Sequence, residues 1–197
     1  VLTRPVTRDV LAGHQVVLIG GSGNYSACDD GDWLLRTLDG LRLIYELHFP
    51  MFASCWGFQA LARALGGRVE NDRSRAEVGT HPLRLTDAAR GDPVFGSLPD
   101  PFLAQVGHED HVVELPQGAI RLAFSERFSN QAYTFPDRPL YATQFHPELR
   151  ASDLRARIEQ YPEYLSLITG LTVAEFREQT QDSLDAEYLV GIFLDLV

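Results

Sequence analysis

The sequence predicts an α/β fold, a three-layer sandwich with helices on both sides of a mainly parallel central sheet. Three observations carry this. Short apolar runs that stop at glycine or at a turn, such as VVLIG at Val16–Gly20, have the pattern of buried strands. Segments of helical period alternate with them in the first third of the chain, and the chain after Arg150 is helical in pattern to its end.

Taken in order, Val16–Gly20 is a strand, and GGSGNYSACDDGD makes the loop after it. From Asp32 the leucines at 34, 35, 38 and 41 recur at helical spacing behind an acidic first residue, which predicts a helix over Asp32–Leu47. HFPMFASC is a strand entered through Pro50, and WGFQALARAL is a helix closed by Gly66 and Gly67. From Val69 to Phe135 short apolar stretches alternate with the turn signals GDP, LPDP and LPQG, so several strands and few helices are expected. PLYATQF is a further strand with HPE directly behind it. DLRARIEQY, PEYLSLI closed by Gly170, TVAEFREQT and DAEYLVGIFLDLV are the terminal helices.

At 197 residues the chain fits one domain, 1–197, able to bury roughly 70% of its unfolded surface. No run of 18 apolar residues occurs, and the opening VLTRPVTRDVLAGHQ has neither the basic flank nor the apolar core of a secretory signal. Neither a membrane span nor export is expected. The 27 acidic against 17 basic side chains give a net charge of −10, which argues against nucleic acid and anionic membranes as partners. Cys28 and Cys55 lie in segments of different character, and a domain of this size needs no disulfide staple. Reduced thiols and a cytoplasmic location are the expectation.

Cys55 stands between a predicted strand and a predicted helix, flanked by the small residues Ala53, Ser54 and Gly57, which is the layout of a nucleophile elbow. The helix N-terminus behind it would favour thiolate over thiol. A buried, inert thiol fits the same stretch, and the segment alone leaves both readings open. At the end of PLYATQF stand His146 and, two residues on, Glu148. A histidine there could deprotonate the thiol and protonate a leaving amine, with the carboxylate fixing its tautomer. A surface His-Pro-Glu turn is the alternative for this motif taken alone.

Together these motifs resemble the class I glutamine amidotransferases, whose elbow has the form G-x-C-x-G-x-Q. This chain reads Ala53-Ser54-Cys55-Trp56-Gly57-Phe58-Gln59, and the family's F-H-P-E stands unaltered at Phe145–Glu148, 91 residues from Cys55 to His146. The stretch GHEDHVVELPQGAIRLAFSERFSNQAY is similar to the same region of free-standing members like the amidotransferase part of GMP synthase. The resemblance implies the flavodoxin-like form of the α/β sandwich and a glutaminase that needs no cofactor and no metal. It implies Cys55 as nucleophile, His146 as general base and acid, and Glu148 as its orienter. It further implies oxyanion donors at Trp56 and near Gly21, and contacts from Gln59, Gly107 and His108 to the substrate, glutamine or another γ-glutamyl compound. Two departures stand out: Ala53 replaces the first glycine, and only fifteen residues precede Val16, where the family has a further strand and helix. Either the start of the protein is missing from this chain or the sheet lacks an edge element. The chain has no ATP-pyrophosphatase loop, so an ammonia acceptor is expected on another polypeptide, a separate synthetase subunit.

Several features point elsewhere and fail. Gly20-Gly21-Ser22-Gly23-Asn24-Tyr25-Ser26 lacks the third glycine of a dinucleotide loop and the Gly-Lys-Ser/Thr of a P-loop. His108-Glu109-Asp110-His111 is one residue short of H-E-x-x-H and reads as a solvated turn. His146-Pro147-Glu148 imitates a zinc deaminase motif, but no cysteine follows Cys55. Cys28, beside Asp29 and Asp30, is expected to have a raised pKa and to be inert. A binding or regulatory module that keeps the fold without turnover is the rival to the enzyme.

Overall fold

The computed structural model describes residues 5–197, so the first four residues of the opening read for a leader lie outside it. In chain order the elements are α1 (Arg8–Leu11), β1 (Val17–Ile19), α2 (Asp32–Glu46), β2 (Met51–Ser54), α3 (Trp56–Ala64) and β3 (Arg68–Asn71). A 3-10 turn at Arg73–Arg75 leads to β4 (Glu77–Leu85), and another at Asp87–Gly91 leads to β5 (Phe102–His108). Then come β6 (Asp110–Glu114), β7 (Ile120–Phe124), β8 (Ala132–Thr134) and β9 (Leu140–Thr143). The chain ends in α4 (Ala151–Gln160), α5 (Pro162–Thr169), α6 (Val173–Gln179), α7 (Leu184–Glu187) and α8 (Leu189–Leu196). The predicted final helix is two, broken at Tyr188.

The main sheet has seven strands in the order β1-β2-β9-β8-β7-β4-β5, and β3 and β6 form a separate two-stranded ribbon. It is an α/β sheet of mixed sense. Strands β1, β2, β9, β7 and β5 run one way, with β8 and β4 reversed between them, so parallel neighbours are confined to β1–β2 and β2–β9. Connection length explains the reversal of β8. Parallel pairs need long crossovers, and α2 supplies one between β1 and β2. Residues 125–131 and 135–139 are too short for anything but antiparallel return.

Helices α2 and α3 cover one face of the sheet. In α2 the residues Leu34, Leu38, Leu41 and Ile44 recur at helical spacing and are buried, as the leucine pattern requires. Helix α3 is buried nearly all round, because α2 packs on one side and the β3–β6 ribbon on another. Its Phe58 and Leu61 are fully enclosed, each contributing about 1.5–3 kcal/mol of apolar burial. It stops at Gly66, which takes the left-handed φ of 90° that a glycine allows. On the opposite face Phe52, Tyr141 and Phe145 pack against Ala186, Leu189 and Phe193 of α7 and α8. A third cluster joins Val78 of β4 to Leu154, Ile158, Leu165 and Phe176 of α4–α6. No helix of the described residues is long and apolar enough to cross a membrane.

Candidate active site

Strand β2 ends at Ser54 and α3 begins at Trp56, so Cys55 alone makes the turn. Its backbone has φ 50° and ψ −106°, a left-handed value that costs a non-glycine residue on the order of 1–3 kcal/mol. The surroundings enforce it. The Cys55 N–H donates to Thr143 O on β9 at 2.8 Å, and Cys55 O accepts from Gln59 N at 3.1 Å in the first turn of α3. A Cβ on Gly57 would lie 2.8 Å from Ile19 O, so only glycine lets α3 come this close to β1. Ala53, where a glycine was expected, lies within β2 opposite Ile19 and Ala142. It is not among the positive-φ residues, so alanine fits there without strain.

His146 follows β9 and is held by its own N–H, which donates to Gln105 O on β5 at 2.8 Å. Its Nδ1 lies 2.7 Å from Glu148 Oε1. The rest of the ring reaches the elbow: a Cβ built on Gly21 would sit 2.6 Å from His146 Cε1, 3.5 Å from His146 Nε2 and 3.3 Å from Cys55 Cβ. Gly21, His146 and Cys55 therefore meet at one point, beyond the carboxyl ends of β1, β2 and β9. Cys55 Sγ also lies 3.6 Å from Gly107 O, to which the thiol can donate.

Burial opposes a charge on His146, but its interactions with Cys55 and then with Glu148 outweigh it and raise the imidazole pKa to about 10. The ring is therefore cationic at neutral pH. Burial likewise disfavours the Glu148 carboxylate, yet hydrogen bonding and charge from His146, with help from the Ser54 hydroxyl, lower its pKa. A cysteine at a helix N-terminus beside an imidazolium that is itself oriented by a carboxylate is the arrangement that activates a sulfur nucleophile. Trp56 opens α3 with no side-chain cap ahead of it, which leaves the first N–H groups of the helix available to an anion.

Gln59, one helical turn after Cys55, is buried with its amide donating to Asp110 O at 2.8 Å and to Gln144 Oε1 at 3.3 Å. Gly107 lies at the sulfur through its carbonyl, whereas the His108 side chain turns into the protein. His108 Nε2 is 3.5 Å from Glu77 Oε2, Nδ1 is 3.0 Å from Asp110 O, and the ring packs on Phe128. The reading of 108–111 as a solvated turn is thus corrected, since His108, Asp110 and His111 are all buried. Antiparallel pairing of β6 with β3 folds this stretch inward, a long-range contact that the local polar sequence does not announce. No group of three or more potential metal ligands occurs among the described residues. Cys28 is free, and burial and then the Asp110 charge raise its pKa, as expected of an inert thiol.

Asp110, which the motifs do not single out, is a hydrogen-bonding hub beside the site. Its carboxylate accepts from Ser26 Oγ at 2.7 Å, Ala27 N at 2.8 Å and Asn71 Nδ2 at 2.6 Å. The only local signal was an aspartate beside two histidines.

A family model described as glutamine amidotransferase class-I matches residues 4–160. The glutamine-hydrolyzing GMP synthase of Prochlorococcus marinus is 31% identical over 144 residues, 71% of this chain and 24% of that protein. The same enzyme of Bacillus subtilis is 37% identical over 111 residues, 56% of this chain and 21% of the relative. The chain thus spans about a quarter or less of the length of these relatives. Among solved structures, a glutamine amidotransferase of Thermotoga maritima superposes with a TM-score of 0.79 at 23% identity, covering 98% of this chain and 80% of that one. A glutamine amido transferase of Methylobacillus flagellatus gives 0.72 at 24% identity, covering 91% and 75%. Both likenesses concern the fold.

Proposed function

Because the chain belongs to the class-I glutamine amidotransferase family, we propose that it is a glutaminase working through a cysteine thioester. Cys55 Sγ attacks the side-chain amide carbon of glutamine, and the C=O electron pair moves onto oxygen. The backbone N–H groups of Trp56 and of the loop at Gly21 receive that oxyanion. His146 gives its proton to the amide nitrogen, ammonia leaves, and a γ-glutamyl thioester remains. Neutral His146 then takes a proton from water, the hydroxide adds to the thioester, and glutamate departs with the sulfur regenerated as thiolate. The balance is glutamine plus water to glutamate plus ammonia. Glu148 holds the His146 ring throughout, and Gln59 and Gly107 line the site for the rest of the substrate.

The observation that carries the reading is the meeting of Cys55, His146 and Gly21 at one point, with His146 Nδ1 on Glu148 at 2.7 Å. The relatives are GMP synthases by name, so a synthetase partner is the acceptor we assign to the ammonia. Purified protein is expected to release ammonia from glutamine, and Cys55→Ala to abolish it. Activity on another γ-glutamyl amide but not on glutamine would redefine the enzyme as a γ-glutamyl amide hydrolase. Silence of the wild type across such a panel, with and without a synthetase partner, would leave the non-catalytic module standing instead.

A further inference from the structure

The loop of residues 20–31 carries Gly21 to the reacting sulfur, and its near end is fixed by β1. Its far end runs into α2 at Asp32, but its middle, at Ser26 and Ala27, lies outside regular secondary structure. Two hydrogen bonds tie that middle to Asp110, from Ser26 Oγ at 2.7 Å and Ala27 N at 2.8 Å, and Asn71 Nδ2 donates to the other carboxylate oxygen at 2.6 Å. Asn71 pairs with Asp110 across the β3–β6 ribbon, so the carboxylate is clamped from behind while it grips the loop. The main-chain carbonyl of the same residue receives the Gln59 amide at 2.8 Å. One residue therefore touches both the loop bearing Gly21 and the side chain one turn beyond Cys55.

We infer that Asp110 is a positioning residue that sets the Gly21 loop against Cys55, and so places the oxyanion donor. This rests on the proposed glutaminase reading. Among the described residues no cation forms an ion pair with the buried carboxylate, and three donors, one of them a backbone N–H, are what make its burial tolerable. Arg63 adds a second hold on the same stretch, donating to Ala27 O at 2.7 Å and Asp29 O at 2.6 Å. It grips those carbonyls and the Asp30 carboxylate, though, so the Ala27 N–H and the Ser26 hydroxyl depend on Asp110. Removing the carboxylate strands the buried Ala27 N–H, leaves the half-buried Ser26 hydroxyl without its acceptor and frees the loop to drift. Drift there matters because Gly21 sits directly against the reacting groups: a Cβ on it would lie 2.6 Å from His146 Cε1 and 3.3 Å from Cys55 Cβ.

The geometry also selects the variants. Asp110→Ala deletes every acceptor but keeps the carbonyl that receives Gln59, so binding and chemistry separate. In Asp110→Asn one oxygen can still take Ser26 and Ala27, but its NH2 then meets the NH2 of Asn71. The exchanged pair Asn71→Asp with Asp110→Asn removes that conflict by placing the carboxylate on the other side.

The test measures glutamine turnover and amide hydrogen exchange over residues 20–31 in all three. Asp110→Ala is expected to lower kcat on the order of tenfold to a hundredfold, short of complete loss of a donor, with KM within about threefold. Its loop amides should exchange faster while those of α2 and α3 do not. The exchanged pair should recover much of both losses and Asp110→Asn less. Wild-type kcat and loop exchange in Asp110→Ala would overturn the inference, as would a loss of kcat with the loop unchanged. If Asp110→Ala does not fold, the single and exchanged asparagine variants decide it, and equal behaviour of the two counts against. If the wild type turns over no glutamyl substrate, the proposed function falls, and exchange alone still decides whether Asp110 anchors the loop.

Discussion

The His146 imidazole and the Glu148 carboxylate are joined at 2.7 Å between Nδ1 and Oε1, across a single intervening proline. That contact leaves the other nitrogen free for the sulfur, and together with Cys55, the larger influence, it favours the charged ring. His146 has its pKa raised from the usual 6.5 to about 10, so the stability it contributes is fully present below 6.5 and lost as pH rises through about 10. In the proposed reaction the cationic ring protonates the leaving amine, so kcat/KM should fall along an alkaline limb governed by the same group. Glu148→Gln removes one of the raising influences, so that limb should move to lower pH, with activity down on the order of a hundredfold. A limb that stays in place would mean that another group titrates.

The strain at Cys55 makes a stability prediction opposite in sign to its effect on activity. A φ of 50° with ψ −106° is unfavourable for any residue with a Cβ and tolerable for glycine. Cys55→Gly should abolish turnover and yet raise stability by about 1 kcal/mol, or about 2–4 °C in Tm for a domain of this size. Calorimetry of the two proteins checks this. A lower Tm for the glycine variant would show that the sulfur's packing outweighs the strain.

Gly21 tests the convergence itself. A methyl group there would sit 2.6 Å from His146 Cε1, nearer than real Cβ contacts come, so the ring must move. A displacement near 1 Å in a reacting group can cost on the order of a hundredfold. Gly21→Ala should therefore lose activity on that scale while its far-UV circular dichroism stays that of the wild type. Retained activity would mean that His146 does not occupy the place described.

What could be read from the chain follows from how local each determinant is. The elbow was legible because strand, turn and helix are consecutive, and Glu148 because it stands two residues from His146. The helices α2 and α3 announced themselves by spacing and by the glycines that end α3. Asp110 was not legible, because its partners Ser26, Ala27 and Asn71 arrive from two distant segments and its own neighbours are polar. The inward turn of His108 depends on Glu77 and Phe128 in the same way. Strand direction fell between these cases. PLYATQF read as a strand and β8 fell in a region where several were expected, and only the short span between them, which forbids a crossover, reveals that they are antiparallel.

The two cysteines separate exposure from reactivity. Cys55 is buried and Cys28 only half so, and access alone would put a thiol reagent on Cys28 first. Chemistry argues the reverse. Cys28 has its pKa raised by burial and by the Asp110 charge, whereas Cys55 stands at a helix N-terminus beside the cationic His146. A glutamine-analogue electrophile should therefore modify Cys55 and spare Cys28, glutamine should protect against it, and His146→Ala should slow it on the order of a hundredfold or more. Peptide mass mapping after brief treatment reads all three. Preferential modification of Cys28, or protection by no glutamyl compound, would return Cys55 to the standing of a buried structural thiol.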